Sequence, residues 1–260
     1  MTEIVIQGIG GRMGHVLCDM IAQREDCCVV AGIDMKDGEQ NGIPVYDSLE
    51  KLNGKGDVII DFSSPAAVEK ALPYCQSHKL PIVVCTTGLS EELQLKVVQL
   101  SRSVPVFKSA NMSMGINVLA ELCKRASAVL GVNYDIEIVE QHHHNKLDAP
   151  SGTAITLAEG ILEKLDRKDK WVKGTFLAPD GTISGTNDCA PNELPIASIR
   201  EGEVFGLHTI RYESDVDSIT ITHDAKSRGG FVLGAVLAAE YTATHEGFLG
   251  MSDLFPFLND

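Results

Sequence analysis

The feature that most constrains this chain is a regular alternation, between residues 1 and 110, of short apolar runs with segments of helix length. The runs are rich in β-branched residues and lie at 4–6, 29–33, 58–60, 82–84 and 104–107. Strands that are apolar on both faces and separated by helices indicate a parallel sheet covered on both sides. We therefore predict an α/β protein whose first domain is a Rossmann-like, doubly wound parallel sheet.

The pattern changes after residue 113, which predicts a second α+β domain with a mixed or antiparallel sheet. Helices are expected over 115–130 and after Pro150, where apolar residues recur at the spacing of an amphipathic helix. These residues are Ala154, Leu157, Ala158, Ile161, Leu162 and Leu165. Strands are expected over 134–140, 196–199, 204–212 and 219–222.

The second and third of these strands are separated by Glu201-Gly202, which predicts that they are antiparallel neighbours. A last helix over 230–241 is expected to pack back on the first domain. We therefore place the first domain at 1–113, completed by 227–260, and the second at 114–226.

Charge and composition exclude several classes of protein. With 36 acidic against 22 basic residues, the formal charge of −14 argues against a basic nucleic-acid-binding surface. No apolar stretch is long enough to span a bilayer, and no secretory signal is present at the start, so we expect a cytoplasmic protein without membrane partners. The seven cysteines include no C-x-x-C pair and are expected to be reduced thiols.

A glycine-rich turn at residues 8–14 follows the first strand and opens a helix. Glycines at such a turn let the backbone approach a pyrophosphate, which the helix N-terminus then binds. The usual third glycine is replaced by Met13, so the pattern becomes Gly8-x-x-Gly11-x-x-Gly14. Asp34 ends the second strand, where it can accept hydrogen bonds from a ribose. The alternative is a tight turn without a ligand.

The choice of dinucleotide stays open at this point. Asp34 would repel a 2′-phosphate and so favours NAD, whereas Lys36 could bind that phosphate. Polar turns at 61–65 and 85–88 end the third and fourth strands, at the sheet edge where doubly wound folds bind ligands. Helix capping by serine and threonine explains these turns equally well.

The most informative segment is 140–154, where three consecutive histidines precede Lys146 and a Ser-Gly-Thr turn. A histidine can donate or accept a proton near neutral pH, and Lys146 adds a positive charge. The turn offers N–H groups to a carboxylate or phosphate. His142 and His144 could instead be metal ligands on one strand face, but the ligand set is incomplete, and no metal is expected. Solvated loop histidines are the other alternative, and for the whole cluster we favour catalysis.

This segment resembles the 4-hydroxy-tetrahydrodipicolinate reductases, also called dihydrodipicolinate reductases. It meets every fixed position of the family pattern E-x-H-H-x-x-K-x-D-A-P-S-G-T-A. The resemblance extends to the turn at 8–14, Ile60-Asp61-Phe62-Ser63, Thr86-Thr87-Gly88 and the segment 111–117. It implies the NADH- or NADPH-dependent reduction of a small dicarboxylate, with loss of water, in lysine biosynthesis through diaminopimelate. It also implies a homotetramer joined through the sheet of the second domain, which is then the substrate-binding and oligomerisation domain.

The resemblance also implies roles for individual residues. It makes His142 and Lys146 catalytic. The substrate-binding residues are His143, Lys146, Ser151, Gly152 and Thr153. The cofactor-binding residues are Gly8, Ile9, Gly10, Gly11, Arg12, Met13, Asp34, Met35, Cys85, Thr86, Thr87, Ser109, Ala110, Asn111 and Met112.

The chain departs from the pattern of many relatives at three positions. Met35 replaces an arginine that contacts the NADP phosphate, Asn145 replaces a third basic residue, and Cys85 replaces a glycine. Two other functions stay open: a different nicotinamide-dependent reductase of an imino or amino dicarboxylate, and a nucleotide sensor without catalysis on the same fold. A sensor would have no need of the proton-transfer pair formed by His142 and Lys146.

Overall fold

The computed structural model describes residues 1–256 and divides into two compact units. Within the described residues, the first unit comprises Met1–Met114 together with residues 228–256, and the second comprises Gly115–Ser227. The chain therefore enters the second unit once, after Met114, and returns to the first at Arg228.

The first unit is a sheet with helices on both faces. Its strands are β1 (Thr2–Gln7), β2 (Cys27–Ile33), β3 (Gly38–Gln40), β4 (Ile43–Tyr46), β5 (Val58–Asp61), β6 (Ile82–Val84), β7 (Val106–Lys108) and β14 (Phe248–Leu249). Its helices are α1 (Arg12–Ile21), α2 (Pro65–His78), α3 (Glu91–Leu100), α6 (Gly229–Thr242) and α7 (Met251–Leu254), with a 3₁₀ turn at Leu49–Leu52. The described strands form one sheet in the order β14-β7-β6-β5-β1-β2-β4-β3, and β3 alone among them is antiparallel to its neighbour. The predicted doubly wound parallel sheet is confirmed.

Alternating side chains of the central strands build a core on each face of this sheet. Ile4 and Ile6 of β1 pack with residues of α1 and α6, whereas Val5 packs with residues of α2 and α3 on the opposite face. All three side chains are fully buried. Each such burial contributes about 1.5–3 kcal/mol, which explains why these strands are apolar throughout.

The second unit is a six-stranded sheet within the described residues, with helices on one face. Its strands are β8 (Asp135–His142), β9 (Lys170–Leu177), β10 (Ile183–Ser184), β11 (Glu193–Arg200), β12 (Leu207–Glu213) and β13 (Ser218–Asp224). The helices α4 (Met114–Leu130) and α5 (Gly152–Leu162) supply residues to its core. Of the predicted apolar residues after Pro150, Leu162 is half-buried and Leu165, past the end of α5, is buried.

The expectation that the strands flanking Glu201-Gly202 are neighbours is wrong. The sheet order is β10-β9-β11-β8-β12-β13, so β8 lies between β11 and β12. It pairs parallel with β11 and antiparallel with β12, which makes the sheet mixed. Backbone bonds from the connecting segment to β8 explain the arrangement, because Glu201 N donates to His142 O at 3.0 Å. The connection crosses the end of β8 instead of forming a tight hairpin.

Among the described residues, no helix combines the length and the apolar character needed to cross a bilayer. All seven cysteines are free thiols, four of them buried.

Candidate active site

The glycine turn, residues 8–14, connects β1 to α1 in a conformation that excludes side chains. Gly8 has a φ of 83°, and a Cβ there would lie 2.4 Å from the carbonyl oxygen of Phe62. A Cβ at Gly14 would lie 2.2 Å from the carbonyl oxygen of Ile9. Gly14 therefore takes the part of the third glycine of the usual pattern, at a place shifted by one residue. The first turn of α1 leaves its N–H groups without intrahelical acceptors, as at every helix N-terminus.

Asp34 joins the glycine turn to the end of β2. One of its carboxylate oxygens accepts the N–H of Gly10 at 2.8 Å, and the other accepts the N–H of Met35 at 2.7 Å. A Cβ at Gly10 would lie 2.9 Å from the first of these oxygens. The neighbouring Met35 is 89% exposed. The carboxylate is thus held beside the turn with lone pairs left for further donors.

A second polar group of the first unit lies where β5 and β6 end. Asp61 is fully buried, and burial raises its pKa to about 6, against the opposing effect of a hydrogen bond from the hydroxyl of Ser63. The N–H of Ser63 in turn donates to Oγ1 of Thr86 at 3.0 Å. Ser64 caps α2, as the alternative interpretation of this turn predicted. Ser63 and Thr86 instead connect the ends of two strands.

The remaining expected cofactor residues follow β6 and β7. The N–H of Cys85 donates to the carbonyl of Asp61 at 3.0 Å, and burial raises the pKa of its thiol. Thr87 and Ala110 are exposed and Met112 is buried. The hydroxyl of Ser109 donates to the carbonyl of Asn111 at 2.8 Å, which closes a tight turn. These residues lie at or beyond the carboxyl ends of parallel strands, the edge where ligands bind in such sheets.

In the second unit, the histidine segment begins inside β8 and leaves it at His142. His143 and His144 donate their N–H groups to Val204 and Gly202, so the chain stays paired with the crossing connection. Lys146 then turns back, because its N–H donates to the carbonyl of His143, and its ammonium lies 2.8 Å from Asp148. This turn ends at Ser151, whose hydroxyl caps α5 by accepting from Ala154 N at 3.2 Å.

His142 and His144 lie in different surroundings. His142 is 8% exposed, with its Nδ1 atom 2.5 Å from Glu140. His144 is exposed, with its Nδ1 atom 2.9 Å from the carbonyl oxygen of Gly202 and 3.2 Å from Glu203. The structure therefore does not bring the two rings to one shared ligand position.

Sequence reasoning assigned no individual role to three buried polar residues around His142, namely Glu140, Arg200 and His208. Arg200 is 1% exposed and donates to both carboxylate oxygens of Glu140, at 2.8 and 3.1 Å. The ring of His208 meets that of His142 edge-on, with centroids 5.2 Å apart. We call Glu140, His142, Ser151, Arg200 and His208 the imidazole cluster. Glu140 carried a sequence signal, because it stands two residues before His142 on the same face of a strand. Arg200 and His208 come from other strands and carried none.

Burial and hydrogen bonding set the charges of the imidazole cluster. Burial opposes ionisation of Glu140, but hydrogen bonds from His142 and Arg200 outweigh it and lower its pKa to about 2. Burial, and after it the nearby His142, lowers the pKa of His208 to about 3. Near neutral pH the cluster therefore contains an ionised Glu140 and an uncharged His208.

The first unit contains a doubly wound sheet with a glycine turn, and the second contains a buried carboxylate–imidazole pair. The two features together are typical of the dinucleotide-dependent oxidoreductases. Comparison with known proteins identifies the family. The family model described as "Dihydrodipicolinate reductase, N-terminus" matches residues 2–112, and the one described as "Dihydrodipicolinate reductase, C-terminus" matches residues 115–255. The chain belongs to the dihydrodipicolinate reductase family, as the sequence motifs indicated.

Individual relatives agree with this assignment over the whole chain. The 4-hydroxy-tetrahydrodipicolinate reductase of Clostridium novyi is 37% identical over 100% of both chains. That of Caldanaerobacter subterraneus is 39% identical over 98% of both. The solved structure of a dipicolinate-bound dihydrodipicolinate reductase from Paenisporosarcina sp. TG-14 has a TM-score of 0.80 and 25% identity, covering 96% of this chain and 97% of that one. The expectations of an oxidoreductase and of an NADH or NADPH cofactor are confirmed.

Proposed function

We propose that this chain reduces 4-hydroxy-tetrahydrodipicolinate to tetrahydrodipicolinate, with loss of water, in lysine biosynthesis through diaminopimelate. The observation that carries the proposal is the complete family segment 140–154, folded so that His142 pairs with a buried carboxylate and Ser151 caps α5. A chain that had lost this reaction would have no reason to keep a desolvated acid beside an imidazole, because such burial is costly.

The substrate carboxylates are assigned to the N-terminus of α5 and the turn before it. The first N–H groups of a helix attract anions, and Gly152 has open space where a Cβ would be. The ammonium of Lys146 adds a positive charge, with His143 and Thr153 in the same segment. Ser151 is 2% exposed and its hydroxyl caps the helix, so its contribution is to orient the N–H groups that bind the substrate.

The dinucleotide is assigned to the glycine turn and the carboxyl ends of β2, β6 and β7. The residues fit such a group, because the positions that approach closest carry no side chain and Asp34 keeps acceptors for ribose hydroxyls. When bound, the nicotinamide supplies the hydride. Residues 8–13 hold the pyrophosphate, Asp34 and Met35 face the adenine ribose, and residues 85–87 and 109–112 line the remainder of the site.

The reaction consumes one hydride and one proton and releases one water. His142 supplies the proton to the ring, and Lys146 is the second group that contacts the reacting substrate. Lys146→Ala should therefore lower kcat and raise the substrate KM together, which steady-state kinetics would measure. A change confined to dinucleotide affinity would contradict this role.

We also assign the chain to a homotetramer joined through the second unit, and to the cytoplasm. The face of the six-stranded sheet opposite α4 and α5 carries half-buried apolar side chains from three adjacent strands, namely Val139, Ile199 and Leu207. A partner sheet would bury this face. The free thiols suit a reducing compartment.

The direct test supplies the protein with NADH or NADPH and the aldolase product of pyruvate and aspartate semialdehyde. Oxidation of the nicotinamide, followed by its absorbance, should depend on that product. Folded protein that binds dinucleotide without turnover would instead support a nucleotide sensor. Turnover with another imino or amino dicarboxylate alone would indicate a different reductase of this fold.

A further inference from the structure

The strand β8, which carries His142, buries two polar side chains on the same face as its apolar ones. Along β8 the residues facing the core are Ile136, Ile138, Glu140 and His142, so two aliphatic side chains are followed by a carboxylate and an imidazole. Glu140 has no exposed surface. Burying a carboxylate is strongly unfavourable unless other groups pair with it, so the donors around Glu140 indicate what the residue does.

Those donors come from three different elements. Oε2 of Glu140 accepts from Nδ1 of His142 at 2.5 Å and from Nη1 of Arg200 at 3.1 Å. Oε1 accepts from Nη2 of Arg200 at 2.8 Å and from the N–H of Ser151 at 3.2 Å. Arg200 is itself fixed, because Nη2 also donates to the carbonyl of Asp148 at 2.6 Å. The carboxylate therefore has a single orientation, set by β8, β11 and the start of α5.

An ionised carboxylate can only accept hydrogen bonds. Nδ1 of His142 must then be the donor of the short contact, which leaves the lone pair of the neutral ring on Nε2. A glycine stands next to that nitrogen, so no side chain from position 206 covers it. Gly206 lies beside it, and a Cβ at position 206 would be 3.1 Å from Nε2. His208, uncharged next to the ring, adds no positive charge that would oppose formation of an imidazolium.

We propose that Glu140, held by Arg200, is the positioning residue of His142, fixing the tautomer in which Nδ1 is protonated and Nε2 exchanges the proton with the substrate. The proposal rests on the function proposed above. In the reductive step the Nε2–H bond breaks and the proton passes to the substrate. His142 becomes neutral, Glu140 stays ionised throughout, and the proton that the reaction consumes returns to Nε2 from solution. Arg200 contributes by keeping the buried carboxylate ionised and aligned.

The test replaces the carboxylate by its isosteric amide. Glu140→Gln offers Nδ1 an N–H donor and so favours the opposite tautomer, with the proton on Nε2. We expect kcat to fall by about 10²-fold or more, since loss of the correct histidine tautomer lowers kcat by about 10⁴-fold in the serine-protease triad. The KM for substrate and the Kd for NADH should stay within about threefold, because neither ligand is assigned a contact with Glu140.

A spectroscopic readout separates positioning from a merely structural role. In protein with ¹⁵N-labelled histidine, the His142 resonance, assigned by its absence in His142→Gln, should report protonated Nδ1 in the wild type and protonated Nε2 in Glu140→Gln. Ile138→Val is the matched control, since Ile138 is fully buried on the same face of β8. It should lower Tm while leaving both kcat and the tautomer as in the wild type.

Glu140→Gln leaves Arg200 buried without its counter-charge and could unfold the protein. The double variant Glu140→Gln/Arg200→Met removes both charges, and it should fold and still show the low kcat. Near-normal kcat in either folded variant, or protonated Nδ1 retained without the carboxylate, would overturn the proposal. The histidine resonance can be measured without turnover. Wild-type protein that has no reductase activity but has a protonated Nδ1 would therefore refute the proposed function, while the pairing of Glu140 with His142 would stand.

Discussion

The glycine turn and the imidazole cluster differ in the atoms that form them, which are backbone atoms in the first and side-chain atoms in the second. The turn is made of backbone, and its defining property is the lack of side chains at Gly8 and Gly14. The imidazole cluster is made of side chains from β8, β11, β12 and the start of α5, and it buries charges. A backbone site needs consecutive residues and survives many substitutions around it. A buried side-chain site needs partners from distant parts of the chain, and the loss of one partner leaves another unpaired.

The largest expected effect lies in the imidazole cluster. His142→Gln should lower kcat by about 10²-fold or more, as expected for loss of a general acid. The Kd for NADH, measured by fluorescence titration, should stay unchanged because the dinucleotide is assigned to the first unit. His144→Gln is the control and should keep kcat, since that ring is exposed and contacts only the crossing connection between β11 and β12 among the hydrogen bonds described. Equal turnover in the wild type and His142→Gln would contradict the assignment.

The glycine turn should respond in the opposite way, through binding. A Cβ at Gly14 would lie 2.2 Å from Ile9 O and 2.5 Å from Gly8 O, so Gly14→Ala must displace the turn. We expect the Kd for NADH to rise by about tenfold or more, equivalent to roughly 1.4 kcal/mol. Gly38→Ala is the matched control, because a Cβ there meets no atom within 4 Å. Equal affinity in both variants would show that the turn does not contact the dinucleotide.

His208, one of the two buried histidines of the imidazole cluster, makes the free energy of unfolding depend on pH. The pKa of His208 is lowered to about 3 in the folded protein, so the unfolded chain binds its proton first as the pH falls below about 6.5. Folding stability should therefore decrease on acidification, by about 2 kcal/mol at pH 5 from this group. His208→Gln should remove that part of the loss, measured by urea unfolding at pH 7 and pH 5. An identical loss in both proteins would mean that His208 titrates normally.

The smallest effect concerns the choice of dinucleotide at the rim of the glycine turn. Asp34→Ser should shift the ratio of NADH to NADPH affinity towards NADPH by about fivefold, since Asp34 is only half-buried and charge interactions near the surface are worth about 1 kcal/mol or less. Lys36→Gln should shift the same ratio towards NADH. Competition titrations with both dinucleotides would measure the two shifts. No change in either variant would place the determinant elsewhere.

The two regions also differ in how well the sequence predicted them. The alternation of apolar runs predicted the doubly wound sheet because both of its faces are buried, and this leaves a continuous signal. The short strands β3, β4 and β14 went unpredicted, because β3 is polar, β4 is interrupted by Pro44 and β14 has only two residues. The strand β9 was missed as well. The order of strands in the second unit was predicted wrongly around Glu201-Gly202, because sequence adjacency favours a hairpin and backbone bonds to β8 prevail instead.

The candidate site residues also differ in whether the sequence or only the tertiary structure identified them. The sequence by itself determined the glycine turn, Asp34, and the segment from Glu140 to Thr153, since each is a local run whose chemistry follows from its order. Only the tertiary structure determined that Arg200 and His208 surround His142, and that Glu140 is desolvated and ionised. The physical reason is that burial and charge pairing depend on which strands become neighbours. That neighbourhood is set by the packing of the whole sheet, which no local run of residues specifies.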